Sequence, residues 1–337
     1  MTTTPTNLAA PLWLGRIATV MLLTGIGISV ARASDPELIL GPNACAECHK
    51  KEAAIWQKTH HFTTFRDLPN NKDADAIAEK LGVKRLKSES LCLNCHFTVQ
   101  APDKVIAGIS CESCHGGGKN WMKVHSEFSG KKEGQETKAE IAARWQKSEA
   151  GGMIRPTNYY ALAKNCLTCH VVPNEKLVNV GGHVAGSPFE LVSWSQGEIR
   201  HNVWYNKGAS NPEAPQARKR MLFVVGRVVE LEAALIGVSK ATTKDNYALK
   251  MATRADNARK AVAALANLLP NAPELKEIAD IGQGAALKLD NEAELVSAAG
   301  KVSELGQKLS ANYDGSGFAA IDQYIPSPDK YKGEVSN

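Results

Sequence analysis

Every cysteine in this chain lies inside a Cys-x-x-Cys-His pentapeptide, and there are 8 cysteines in all. The pentapeptides are Cys45/Cys48/His49, Cys92/Cys95/His96, Cys111/Cys114/His115 and Cys166/Cys169/His170. The pattern reads as c-type haem attachment. Two thiols bond one porphyrin covalently, and the histidine directly after the second thiol supplies an iron ligand. Zinc sites and disulfides also use paired cysteines. Neither requires a histidine after the second cysteine of all four pairs, whereas haem attachment does. The expected cofactors are therefore four covalently attached haem c groups.

The N-terminus fits that chemistry. Arg16 precedes an apolar run from Ile17 to Val30, followed by Ala31-Arg32-Ala33, which matches a signal-peptidase site. The expectation is a cleaved signal peptide over residues 1–33 and a periplasmic or extracellular protein, the location in which haem c is attached. The run is shorter than the roughly 20 residues that span a bilayer, and no other stretch is long and apolar enough to cross one. Loss of Arg16 and Arg32 takes two charges from the formal +5. Each ferric haem with neutral axial ligands adds about −1, from two propionates against one positive centre. The holoprotein is then near neutral, which gives nucleic-acid binding no electrostatic support.

All cysteines and all 9 histidines lie before residue 210. We expect a mostly α fold with a haem-packed domain over 34–210, rich in Gly, Asn and Lys, that has little regular structure beyond helices near Lys50–Thr64 and Glu190–Tyr205. Haems would serve there as the core that ordinary side chains do not supply. After Pro212, apolar residues fall at helical spacing: Met221, Val224, Val225, Val228, Leu231 and Leu235, then Ala255, Ala258, Val262, Leu265 and Leu269. A short third helix carries Leu275, Ile278 and Ile281, and Asn291 with Glu294 reads as the capping box of a fourth. The expectation is a haem-free helical bundle over 211–312 and an extended tail over 313–337.

Beyond the motif histidines the chain has His60, His61, His125, His183 and His201, enough to close four irons with one to spare. His61 follows His49 by twelve residues, roughly 18 Å along a helix, so it should reach a different haem. The same holds for His125, beyond the loop Gly116-Gly117-Gly118. His183 is a candidate ligand of the second or fourth haem. His60 reads as a supporting or surface residue, because adjacent helical residues do not point at one iron. Met122 and Met153 read as packing residues.

The stretches CAECHKKEAAIWQKTHH (45–61), GISCESCHGGGKNWMKVH (108–125) and FELVSWSQGEIRH (189–201) resemble the cytochrome c-554 family of tetrahaem cytochromes. The resemblance covers about Gly41 to Tyr205 and stops short of the C-terminal helices. It implies that His61 ligates the third haem, His125 the first and His201 the fourth, with an open face on the second iron, that of His96. It also implies electron transfer, with a hydroxylamine-oxidising donor and a membrane quinone-linked cytochrome as acceptor. The alternative is a haem enzyme that reduces nitric oxide, nitrite or a sulfur oxyanion at an open second iron. Lys84, Arg85 and Lys87 would then attract the anion; otherwise they form a solvated face. The helical bundle would dock a partner, form an oligomer interface or cover haem edges.

Overall fold

Helices dominate, and their lengths divide the chain into two regimes. The computed structural model describes residues 1–2, 35–88 and 90–336, so the signal-like segment 16–33 lies outside the described residues. The first regime holds eleven short helices: α1 (Pro42–Ala46), α2 (Lys50–Trp56), α3 (His60–Asp67), α4 (Lys72–Leu81), α5 (Ser90–His96), α6 (Cys111–His115), α7 (Met122–Ser126), α8 (Lys138–Ala150), α9 (Tyr159–His170), α10 (Glu175–Asn179) and α11 (Leu191–Ser195). An antiparallel hairpin, β1 (Thr98–Gln100) with β2 (Lys104–Ala107), separates α5 from α6. The second regime is α12 (Gln216–Ser239), α13 (Asn246–Leu268), α14 (Pro273–Gly284) and α15 (Glu292–Asn312).

Local chemistry explains the short pieces. Pro42 starts α1, where its missing N–H is not needed. The helix expected over Lys50–Thr64 is broken at 57–59. The Thr59 hydroxyl donates to Trp56 O at 2.8 Å, and its side chain caps α3 by accepting from Phe62 N. A hydroxyl that bonds locally competes with the helix ladder, so α3 starts afresh with His60 and His61. The helix expected over Glu190–Tyr205 is likewise confined to Leu191–Ser195, with Glu190 accepting from the N–H groups of Val192 and Ser193.

In the second regime the apolar periodicity lands where expected. Met221, Val224, Val225, Val228, Leu231 and Leu235 are buried, as are Ala255, Ala258, Val262, Leu265, Leu269, Leu275, Ile278, Leu295, Val302 and Leu309. The capping box at Asn291 does not form: Asn291 Nδ2 donates to Ala286 O, and Glu294 accepts from Ala286 N. Both side chains hold the preceding turn instead of the helix end.

The two regimes share one core. Tyr160, Ala163 and Leu167 of α9 belong to the same apolar cluster as α12, α13 and α15. Tyr160 donates its hydroxyl to the buried carboxylate of Glu232 on α12 and lies 2.6 Å from Ser303 Oγ on α15, while Lys164 Nζ reaches Glu232 at 2.8 Å. Gly306 lets α15 approach closely, since a Cβ there would sit 2.8 Å from the Tyr160 ring. Residues 313–336 have only two 3-10 turns of regular structure, yet Phe318 and Ile321 are buried and the backbone of Lys332 bonds Ser193 O and Glu198 N. No helix among the described residues is long and apolar enough to cross a membrane.

Because Leu295 is fully enclosed between helices, Leu295→Ala is expected to cost about 2–5 kcal/mol of stability. Denaturant unfolding followed by far-ultraviolet circular dichroism checks this; an unchanged midpoint would contradict the buried packing.

Candidate haem sites

Each pentapeptide occupies about one helical turn, which puts its two cysteines three residues apart on one face. Motif one starts at the end of α1, motif two ends α5, motif three is α6, and motif four ends α9. In α6 the Ser113 hydroxyl accepts from Ser110 N at 3.2 Å and so fixes the first turn. In α9 the Asn158 side chain accepts from Ala161 N at 3.0 Å. In every motif this spacing would let both thiols hold one porphyrin, with the histidine that follows as the candidate iron ligand.

One expected attachment residue departs from the others in its surroundings. A cysteine bonded to a porphyrin that serves as core should be at least partly enclosed, and seven of the motif cysteines are; Cys48 is exposed. The cause is local. α1 ends at Ala46, so Glu47 and Cys48 fall on the turn beyond it and both face solvent, whereas the second cysteines of the other three motifs lie within helices. Cys48 is a candidate attachment residue by its spacing from Cys45 and His49.

The histidines come together in four pairs. The ring centroids of His49 and His125 are 6.3 Å apart, those of His61 and His170 6.3 Å, those of His96 and His183 6.4 Å, and those of His115 and His201 6.1 Å. Each pair joins one motif histidine to one histidine from elsewhere. An iron between two imidazoles requires a separation of about 6.2 Å, from two metal–nitrogen bonds of about 2.0 Å and two nitrogen-to-centroid distances of about 1.1 Å. All four pairs meet that requirement. The planes of His49 and His125 are inclined by 16°, against 55°, 56° and 88° in the other three pairs.

This pairing revises two assignments implied by the resemblance. His125 faces motif one as implied. His61, however, stands opposite His170 of motif four, and His201 stands opposite His115 of motif three. The break before α3 carries His61 toward motif four, and Thr64 holds that helix in place by donating to His96 O at 3.0 Å. Gly108 lets the strand leaving β2 pass against the backbone of α3: a Cβ there would collide with His61 O, while Ile109 N donates to that same oxygen. His183 stands opposite His96, the histidine whose iron the resemblance leaves open. His60 turns away and pairs through Nδ1 with Glu198 at 2.6 Å.

Hydrogen bonds fix the tautomers. Nδ1 of His115 lies 3.0 Å from Ile154 O, that of His125 2.5 Å from Met122 O, that of His183 2.8 Å from Val184 O and that of His201 2.7 Å from Ile199 O. A carbonyl only accepts, so Nδ1 carries the proton and the Nε2 lone pair is left for a metal. His170 Nδ1 meets Ser187 Oγ at 3.2 Å, and His49 Nδ1 lies 3.8 Å from Glu52. Burial keeps the rings neutral, holding His96, His115 and His170 down at about 4.

Six of the thiols form a continuous series. Cys45 and Cys111 are hydrogen-bonded to each other, as are Cys95 and Cys169. Cys114 lies close enough to Cys166 and Cys169 for their charges to interact. Asn165 braces the middle of the series by donating to Cys114 O at 3.1 Å. Burial pushes Cys114 up to about 11 and Cys166 up to about 12, environments that favour a neutral sulfur such as a thioether.

Other residues found by the structure surround the rings. Trp204 lies 4.5 Å from His49 between ring centroids, and Phe189 lies 4.4 Å from His170. The indole N–H groups of Trp121 and Trp194 and the Nε of Arg200 are buried donors without a protein partner. Trp121 stacks edge-on to His125 and Trp194 lies beside His170, while Arg200 precedes His201. Haem propionates are acceptors of the kind these donors need, so the surroundings fit the group. Among the described residues no cluster of three or more His, Cys, Asp or Glu side chains converges as zinc would require. Lys87 lies over the Phe65 ring at 3.6 Å, which places its ammonium on an aromatic face.

Comparison with known proteins agrees with the motif reading. Residues 44–116 match the family described as cytochrome c554 and c-prime. The chain is 30% identical over 135 residues to cytochrome c-554 of Nitrosomonas europaea, an alignment covering 35% of this chain and 56% of that protein. The chain thus spans about half the length of the curated relative it matches. No solved structure matches.

A histidine whose folded value lies below the ordinary 6.5 stabilises the fold above pH 6.5 and loses that contribution as pH falls toward the folded value. Acid titration of the holoprotein should therefore leave the low-spin absorption bands intact through pH 6.5 and abolish them only well below it, because iron–nitrogen bonds add to the burial that already disfavours protonated rings. Conversion to high spin centred at pH 6.5 would contradict the burial of these rings.

Proposed function

We propose that this chain is a periplasmic tetrahaem c-type cytochrome that passes electrons between redox partners, with every iron closed by two histidines. The observation that carries the reading is the set of four histidine pairs at the separation a six-coordinate iron demands. The thioether pairs would be Cys45/Cys48, Cys92/Cys95, Cys111/Cys114 and Cys166/Cys169. The axial pairs would be His49/His125, His96/His183, His115/His201 and His170/His61. Bound haem supplies a one-electron redox centre at each site.

The protein's own contribution is to close, orient and order the four sites. Two imidazoles on one iron leave no face for a substrate, and in three of the four pairs at least one ring is held through Nδ1 by a backbone carbonyl, so little rearrangement is needed when charge changes. That property suits a carrier. Histidine pairs also favour lower potentials than histidine/methionine ligation. The thiol contacts support an order along the chain of sites: motif one beside motif three, three beside four, and four beside two. Export is supported by the signal-like residues 16–33 and by the extracytoplasmic attachment of haem c. The donor would be a hydroxylamine-oxidising enzyme and the acceptor a membrane quinone-linked cytochrome, by likeness to the family alone.

The enzyme reading requires an open iron at His96, which His183 would close. The holoprotein should contain four haems by mass and pyridine haemochrome, and its reduced form should bind no carbon monoxide. His183→Ala should bind carbon monoxide at one haem in four. Binding by the unsubstituted protein would contradict the closed carrier and favour ligand reduction at the second iron.

A further inference from the structure

Glu112 lies between the two cysteines of motif three, a position where nothing in haem attachment calls for a charge. Its side chain is nonetheless buried, at 1% exposure. Oε1 accepts from Leu40 N at 2.8 Å and from Gly118 N at 2.7 Å, and Oε2 accepts from Gly41 N at 2.7 Å. These N–H groups come from two separate segments, the approach to motif one and the glycine loop after motif three. Backbone N–H groups converging on a carboxylate make an anion nest, here of three short N–H···O contacts. Gly118 leaves room for the carboxylate: a Cβ there would lie 3.1 Å from Oε1.

The charge sits where two sites meet. The Cys45 thiol is held well above its ordinary value by its hydrogen bond to Cys111, by burial and also by the Glu112 carboxylate, and the same carboxylate acts on Cys111. Those thiols belong to motifs one and three. A fixed negative charge in a poorly screened interior stabilises the more positive ferric state of a nearby iron over the ferrous state. Its effect falls with distance, so motifs two and four should feel it less.

Resting on the haem reading above, we propose that Glu112 is a potential-setting residue, whose buried carboxylate lowers the reduction potentials of the haems on motifs one and three relative to those on motifs two and four. It also positions the two sites by tying residues 40–41 to the loop after motif three.

The near-parallel planes of His49 and His125 make the test site-specific. Parallel imidazoles split the iron d orbitals most strongly and give a resolved rhombic low-spin paramagnetic resonance signal, whereas steeply inclined planes give a single broad feature at large g. Titrating the rhombic signal therefore follows the iron of His49. In Glu112→Gln, which keeps the shape and one acceptor oxygen, its midpoint should rise by roughly tenfold in equilibrium constant, about 59 mV for one electron. Of the three large-g signals, that of motif three, from the 88° pair, should rise as well, while those of motifs two and four should move much less. An unmoved rhombic midpoint, or an equal shift of all signals, would overturn the proposal. If the glutamine variant fails to retain four haems, Glu112→Asp is titrated instead: a midpoint kept low supports the charge, and a raised one overturns it. A haem count other than four in the unsubstituted protein, or no rhombic signal, would count against the four-pair haem reading; four haems with an unmoved midpoint would count against Glu112 alone.

Discussion

An iron held between two imidazoles fixes their ring centres about 6.2 Å apart, and this chain comes within about 0.2 Å of that distance four times with histidines from distant segments. Much of the first half of the fold follows from it. The motif histidines end helical turns, so their partners must arrive from across the site. α3, α7 and the turns at His183 and His201 supply them. Short helices joined by capped breaks suit that task better than long ones, because each break re-aims the chain. The break at Thr59 does this for His61.

The four Cys-x-x-Cys-His motifs were legible in the sequence because cysteine spacing on one turn is a local property. Enclosure is not local, and Cys48 shows the difference: its spacing is the same as in the other motifs, but α1 stops two residues before it and leaves it at the surface. The bundle was legible for a reason like that of the spacing: apolar periodicity reports a buried face, and α12 to α15 bury the residues it marks. The partners of the motif histidines were less legible. Whether His61 meets motif three or motif four depends on where a helix stops, and the Thr59 hydroxyl that stops it resembles any other threonine in the sequence. The exchange between His61 and His201 follows from that one break together with the packing of Gly108 on α3. The Asn291 capping box failed in the opposite direction: the local pattern was present, but the preceding turn took both side chains.

The C-terminal helices acquire a physical role from the shared core. α9 carries motif four at its end, while its other residues pack into the bundle and its Tyr160 is bonded to Glu232 and Ser303. Arg254 on α13 extends the connection by donating to Ser187 O at 2.6 Å, beside the Ser187 hydroxyl that meets His170. The helical body thus holds motif four, inside the series of sites, where the haem-motif half has few long elements of its own. Buried charge stands at the motif-one end, where Glu112 joins motifs one and three.

The central claim is that all four irons are closed by histidine pairs of these particular geometries. Paramagnetic resonance of the fully oxidised four-haem protein tests it most directly. The account predicts only low-spin iron, with one rhombic signal from the near-parallel pair and large-g features from the inclined ones. A high-spin signal amounting to one haem in four would contradict it, because one histidine pair would then not close its iron.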